Sequence, residues 1–293
     1  MSLSAYLQSP DNLAASRGKE PSEVKADFLR LGAAWFRDHP RESERIARNL
    51  HNLGLTADDE ILERIREHIV LHYYEKLLPL CGDPAYFHRF LSRNVDADSA
   101  VETLSQSIRN GKGVLLAVPH FGAVEFLAPV SAMHKLPISA VLRFKTAELS
   151  RLAHQQVRHM AESGLFSEIK FVEIGKPGTN AALDMAAVLR RGEILLSVFD
   201  EKTEYSVPVQ LLGRTVWGGA GLHKLLKFAG ASVDVYAAFM LRKEDVRYTL
   251  QLHPVDPQTD NPIQRLYNEL ERKLHEHPEQ WYFLHEEIPF VEK

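Results

Sequence analysis

The 293-residue sequence predicts an α/β protein: a mixed, mainly parallel sheet flanked by helices, preceded by a helical N-terminal region. Three observations predict it. From residue 22 to about 110, apolar residues recur at helical spacing. From Gly113 onward, short apolar runs alternate with helical segments. The composition, 45% hydrophobic and 25% charged without repeats or low-complexity tracts, is that of a chain able to bury a sizeable core.

Val24, Phe28, Leu31, Trp35 and Phe36 mark the first amphipathic helix. Segments 45–53, 58–78 and 97–108 follow with the same period, punctuated by Gly54 and by 79–82. The second half then reads as strand 113–118, helix 122–133, strand 138–142, helix 147–163 and strand 169–174. A helix N-capped by Thr179 and stopped by Gly192 leads to strand 194–198. A helix over 221–229, strands over 232–240 and 248–253, and a helix over 262–277 complete the chain. The expected organisation is one domain over 1–293, with a helical region to 110 and an α/β core from 111.

Composition excludes several function classes. With 35 basic and 39 acidic residues the net charge is −4, the wrong sign for a dedicated nucleic-acid binder. Cys81 is the only cysteine, which rules out an intramolecular disulfide and a four-cysteine zinc site; no metal is expected. Residues 1–21 are polar and do not read as a signal peptide. The most apolar stretch, 113–133, is broken by Pro119, His120, Glu125 and Pro129 and is too polar to span a bilayer. A cytoplasmic protein is expected, touching the inner membrane at most peripherally.

Sheets of this kind bind ligands beyond the carboxyl ends of their strands, which directs attention to the residues after Val118, Leu142 and Val198. After the first strand comes Pro119-His120-Phe121-Gly122-Ala123-Val124-Glu125. A histidine followed five residues later by an acid also occurs at His39, but that one lies in a charged linker. From the opening turns of the next helix, Glu125 is expected to reach one imidazole nitrogen, orient His120 and leave the other nitrogen as a general base. Gly122 is expected to let a substrate approach the backbone. A core histidine bonded to a neighbouring glutamate fits the same residues.

Arg143 and Lys145 follow the second strand, and Arg151 and Arg158 lie seven residues apart on one face of the next helix. Such a cationic mouth suits a phosphate, a carboxylate or an acidic protein, though a solvated helix face fits equally. Asp200 and Glu201 follow strand 194–198, placed to hold a basic residue or a substrate hydroxyl, or simply to begin a turn. Trp217-Gly218-Gly219-Ala220-Gly221 offers backbone N–H groups to an anion or makes a tight turn. No Gly-x-Ser-x-Gly elbow exists, and His68 and His72 lack the glutamate of a metalloprotease helix. His275 and His277 are expected in solvent.

Together these residues resemble the lysophospholipid acyltransferase superfamily, in particular its bacterial branch of lauroyl/myristoyl acyltransferases of lipid A biosynthesis. The hallmark His-x₄-Asp/Glu is present as His120-Phe121-Gly122-Ala123-Val124-Glu125. The resemblance runs over roughly 45–287. It takes in Arg48-Asn49-Leu50, Arg143, Arg158, Asp200, Val207-Pro208-Val209, Leu212-Gly213-Arg214, Gly230-Ala231 and His277-Pro278-Glu279-Gln280-Trp281. Two features depart from it. Such proteins begin with a membrane-anchoring helix that this sequence lacks, and their basic continuation of the tryptophan motif reads His285-Glu286-Glu287 here. A soluble relative with another acceptor is the expectation.

The resemblance implies transfer of a fatty acyl group from a thioester to a hydroxyl or amine, with His120 as base and Glu125 as its partner. Arg143 and Arg158 would hold the donor's phosphate, and Asp200 an arginine or the acceptor. No bound cofactor is implied. Acyl-phosphopantetheine serves as co-substrate, on acyl carrier protein as the expected partner or on coenzyme A, and the acceptor is a lipid or small molecule. A thioester hydrolase and a non-catalytic lipid-binding protein are the alternatives.

Overall fold

The computed structural model describes residues 2–291 apart from 145, 176–177, 179, 220, 222–224, 226–231 and 245. The N-terminal region contains α1 (Leu3–Leu7), α2 (Pro10–Ser16), α3 (Pro21–Asp38), α4 (Pro40–Asn52), α5 (Asp59–Leu77) and α6 (Pro84–Asn94). The core follows as β1 (Val95–Asp96), α7 (Asp98–Arg109), β2 (Gly113–Val118), α8 (Leu127–Met133), β3 (Ile138–Leu142), α9 (Ala147–Glu162) and β4 (Ile169–Glu173). It continues with α10 (Ala181–Arg190), β5 (Ile194–Val198), β6 (Val207–Leu211), β7 (Arg214–Gly218), β8 (Val233–Arg242), β9 (Tyr248–Pro254) and α11 (Pro262–Glu276).

Local chemistry sets the helix starts. Proline opens α2, α3, α4, α6 and α11, where its missing N–H costs no hydrogen bond. Asp58, Asp83, Thr146 and Asn261 cap α5, α6, α9 and α11 through their side chains. The cap of α10 is Asn180; the expected Thr179 lies outside the described residues. The same holds for Lys145, for Gly230-Ala231 and for most of the helix expected over 221–229.

Seven strands form one sheet in the order β1-β9-β8-β2-β5-β3-β4. β2, β3, β4, β5 and β8 run parallel; β9 runs against β8. β2 sits in the middle and is buried along its whole length, as a strand covered on both faces must be. The chain leaves β2, passes β5 and enters β3; later it leaves β5, passes β2 and reaches β8. The two connections run in opposite directions along the sheet and pass each other, so the carboxyl ends of β2 and β5 lie where the strand order reverses, the topological switch point at which such sheets bind ligands.

α5 is buried nearly all round, from Ile65 and Ile69 through Tyr74 to Leu77. It packs between α3, α4 and the turns that follow α11. Where helices were not expected, α1 and α2 fold residues 3–16 against the body, burying Leu3 and Leu7. β6 and β7 form a hairpin that the sequence reading missed. Its two-residue turn, Leu212 and Gly213, has both φ values positive at 50° and 70°, the geometry that matches strand twist. Among the described residues no helix is long and apolar enough to cross a membrane.

Candidate active site

The sheet register builds the site. Val118 at the end of β2 is aligned with Val198 at the end of β5, and Phe199 N–H extends the ladder to Val118 O at 3.1 Å. Two residues further on, His120 and Asp200 therefore emerge side by side at the switch point. Asp200 is buried and receives three N–H groups. Its Oδ1 accepts from His120 Nδ1 at 2.9 Å, and its Oδ2 accepts from the His120 backbone at 2.9 Å and from Trp281 Nε1 at 3.0 Å. A carboxylate only accepts, so Nδ1 carries a ring proton, and in the neutral ring Nε2 keeps its lone pair.

Nε2 faces the open side. Glu201 Oε1 lies 3.6 Å from it on an exposed side chain. Burial alone would lower the pKa of His120, but Asp200, Glu201 and Glu125 together raise it above the ordinary 6.5. The ring packs edge-on against Phe283, with centroids 4.9 Å apart.

The turn carrying His120 is clamped from two sides. His120 O accepts from Tyr282 N at 2.8 Å, Gly122 N donates to Gln280 O at 2.9 Å, and Ala123 N donates to Met240 O at 2.7 Å. Gly122 has φ +62°, and a Cβ there would lie 2.1 Å from Met240 O. Gly122 is therefore fixed by backbone packing against β8, and the side on which a Cβ would stand is filled by Met240 O. Its N–H is committed, as are those of His120, Phe121 and Ala123, so this turn supplies no free oxyanion donor. Gly219 N–H is likewise committed to Phe199 O, at 3.1 Å.

The expected His120–Glu125 bond is replaced. The positive φ at Gly122 delays the helix, and Glu125 falls in a short 3₁₀ turn, Val124–Phe126, ahead of α8. Its half-buried carboxylate approaches His72 Nε2 at 3.7 Å, while Asp200 accepts the hydrogen bond from His120 Nδ1. Arg143 follows β3 at the same sheet edge, exposed and two strands from β2, about 10 Å across the sheet. Arg158 is not brought to this edge. α9 starts there but runs back along the sheet, and eleven residues of rise carry Arg158 about 17 Å away.

Asn49, of the early Arg48-Asn49-Leu50, donates to Leu284 O at 3.0 Å and Glu286 O at 2.8 Å. Arg45 bonds His285 O at 3.2 Å, and Gln280 bonds both backbone polar groups of Arg242. The early helical segment thus holds residues 284–286, next to the Gln280 and Tyr282 backbone that clamps the histidine turn. Trp281 was legible as part of a motif, but not as a donor to Asp200. His285, expected to mark only a change of charge, is buried, and burial lowers its pKa. His277 is only partly exposed and lies 3.5 Å from Glu279.

The family model for bacterial lipid A biosynthesis acyltransferases matches residues 19–288. The chain belongs to this family. No curated protein matches it. Membership of the lipid A acyltransferase family makes acyl transfer the reaction class of the chain. The matched span includes Asn49, His120, Asp200 and Trp281. Among the described residues no group of histidine, cysteine, aspartate and glutamate side chains is arranged to hold a metal ion.

Proposed function

We propose that the protein moves a fatty acyl group from a phosphopantetheine thioester to a hydroxyl or amine, with His120 as general base. The observation that carries this reading is the 2.9 Å bond from His120 Nδ1 to Asp200, which leaves a basic Nε2 facing the crevice. Nε2 takes the proton of the acceptor as its oxygen or nitrogen attacks the thioester carbonyl. The tetrahedral intermediate collapses with cleavage of the carbon–sulfur bond. His120 then returns the proton to the leaving sulfur, releasing the free thiol, and no covalent enzyme intermediate forms.

Asp200 acts through the ring: it fixes the tautomer and balances the imidazolium that forms during transfer. Glu125 and Glu201 add negative charge near that imidazolium. Arg143 draws in the donor's phosphate at the same edge. Acyl carrier protein is the proposed donor, with coenzyme A as the other carrier of the same group, and the acceptor is a lipid or small molecule. A soluble cytoplasmic protein with peripheral membrane contact fits a long-chain acyl substrate.

The test incubates wild-type and His120→Ala protein with acyl carrier protein or coenzyme A bearing different chains, plus a native lipid and metabolite extract. Mass spectrometry follows the products. A new acylated compound made by wild type alone supports transfer and identifies the acceptor class. Free acid alone makes the protein a hydrolase, and equal product from His120→Ala overturns the role of His120.

A further inference from the structure

α5 turns a polar stripe toward the site: His68, His72 and Glu75, spaced to share one face. Two of the three are absorbed by the scaffold. Glu75 takes Arg242 through Nε and Nη2, both at 2.7 Å, and His68 Nδ1 lies 3.3 Å from Arg242 Nη1. Arg242 in turn holds Gln280, whose carbonyl receives Gly122 N–H.

His72 is different. Its side chain is 9% exposed, yet it makes no hydrogen bond among the described residues. Its ring packs over Tyr282, with centroids 4.3 Å apart, and its Nε2 is aimed at Glu125 Oε1, 3.7 Å away. Of the side-chain groups near this largely buried imidazole, the Glu125 carboxylate is the acceptor that its Nε2–H can meet.

We propose that His72 is a positioning residue for acyl transfer: its Nε2–H holds the Glu125 carboxylate beside His120. At 3.7 Å the contact is longer than a hydrogen bond, and such contacts tighten when substrate fills a site. Charge explains why a histidine suits the place. Burial, then Arg242 and His120, keep the His72 pKa well below the ordinary value, so the ring stays neutral. A cation there would cancel the field of Glu125 at His120; a neutral N–H fixes the carboxylate and leaves its charge intact. The charged and titratable groups around His72 are His68, Tyr73, Glu75 and Lys76 from α5, Arg242 from β8, His120 and Glu125 from the loop after β2, and Tyr282 and His285.

The inference rests on the proposed transfer reaction and on Glu125 taking part in it. Its test compares His72→Phe, His72→Gln and Glu125→Gln. Thiol release is followed from dodecanoyl-acyl carrier protein and dodecanoyl-coenzyme A, with the native lipid and metabolite extract as acceptor, across pH. Removing a hydrogen bond to a charged group is expected to lower kcat of His72→Phe about 10- to 100-fold with little change in KM. The acid limb of its pH profile should move to lower pH, in the same direction as in Glu125→Gln, because the Glu125 carboxylate is no longer held beside His120. His72→Gln, which keeps an N–H at similar reach, should recover most of the rate and the limb.

An unmoved limb in a folded His72→Phe, or a His72→Gln no better than His72→Phe, overturns the proposal. If Glu125→Gln is impaired and His72→Phe is not, His72 alone is excluded. If Glu125→Gln behaves as wild type, the role of Glu125 falls and takes that of His72 with it. Imidazole ¹⁵N NMR reads the same point without turnover. His72 should remain a neutral Nε2–H tautomer whose resonance shifts in Glu125→Gln, and an Nδ1–H tautomer overturns the inference.

Discussion

Trp281 donates its indole N–H to Asp200 Oδ2 at 3.0 Å, so the last segment of the chain finishes the site that β2 and β5 begin. With the two His120 donors already in place, Trp281 leaves Asp200 no freedom to turn its oxygens. The bond joins residues 81 positions apart, and it is buried, where an unmade hydrogen bond costs most. Trp281→Phe keeps the ring and removes the donor. Its kcat should fall about 10- to 100-fold. Asp200→Asn allows the wrong tautomer of His120, and its loss should approach 10³- to 10⁴-fold, on the order seen for other histidine–carboxylate pairs. Steady-state kinetics on both folded variants checks the ranking; a Trp281→Phe at wild-type rate would remove Trp281 from the site.

The raised pKa of His120 makes two opposite pH predictions. As a base it must be neutral, so kcat/KM should rise through an inflection above 6.5, the pKa of an ordinary histidine. Stability runs the other way. A group whose pKa is higher folded than unfolded binds its proton more tightly in the folded state. Its contribution is fully present below the unfolded value of about 6.5 and is lost as pH rises through the folded value. Urea unfolding of wild type and His120→Gln at pH 5.5 and 8.5 isolates this group. The wild-type advantage should be larger at pH 5.5, and a larger advantage at pH 8.5 would show that the folded site lowers the pKa.

Gly122→Ala should damage folding and turnover together. The positive φ disfavours any side chain, and the added Cβ would meet a backbone carbonyl that the ladder holds in place. A loss of about 2 kcal/mol or more is expected, from strain plus the broken bonds of Gly122 and Ala123. Thermal unfolding reads it. Full stability with impaired turnover would instead restore the reading in which substrate approaches the backbone at Gly122.

Legibility followed sequence distance. His120 and Asp200 stood out because each follows an apolar strand, and strand ends at a switch point collect function. Their pairing did not, because it depends on register between β2 and β5, eighty residues apart. Glu125 looked like the partner of His120 because helical spacing was assumed from Gly122. The positive φ of Gly122, set by contact with β8, broke that spacing. The glycine itself was visible, but its reason was Met240, about 120 residues away in the chain. The β6–β7 hairpin was hidden because Leu212 takes a turn conformation that leucine rarely adopts. Arg151 and Arg158 do share a helix face, but periodicity says nothing of how that helix lies along the sheet.

That last geometry separates the two arginines expected to meet the donor. Arg143 stands at the carboxyl edge, about 10 Å from β2 across one intervening strand, within reach of a phosphopantetheine arm whose thioester lies at His120. Arg158 lies about 17 Å down α9 from that edge. A guanidinium that contacts a phosphate contributes a charge-assisted bond, whereas a solvated helix charge contributes little. Arg143→Ala should therefore raise KM for the acyl donor by about tenfold with kcat little changed. Arg158→Ala should change KM by about twofold at most. Added salt should raise the wild-type KM and narrow the gap to Arg143→Ala, because screening weakens the attraction that Arg143 supplies. The measurement is donor KM for the three proteins at low and high salt. A larger effect at Arg158 than at Arg143 would move the donor's path off the carboxyl edge and onto the outer face of α9.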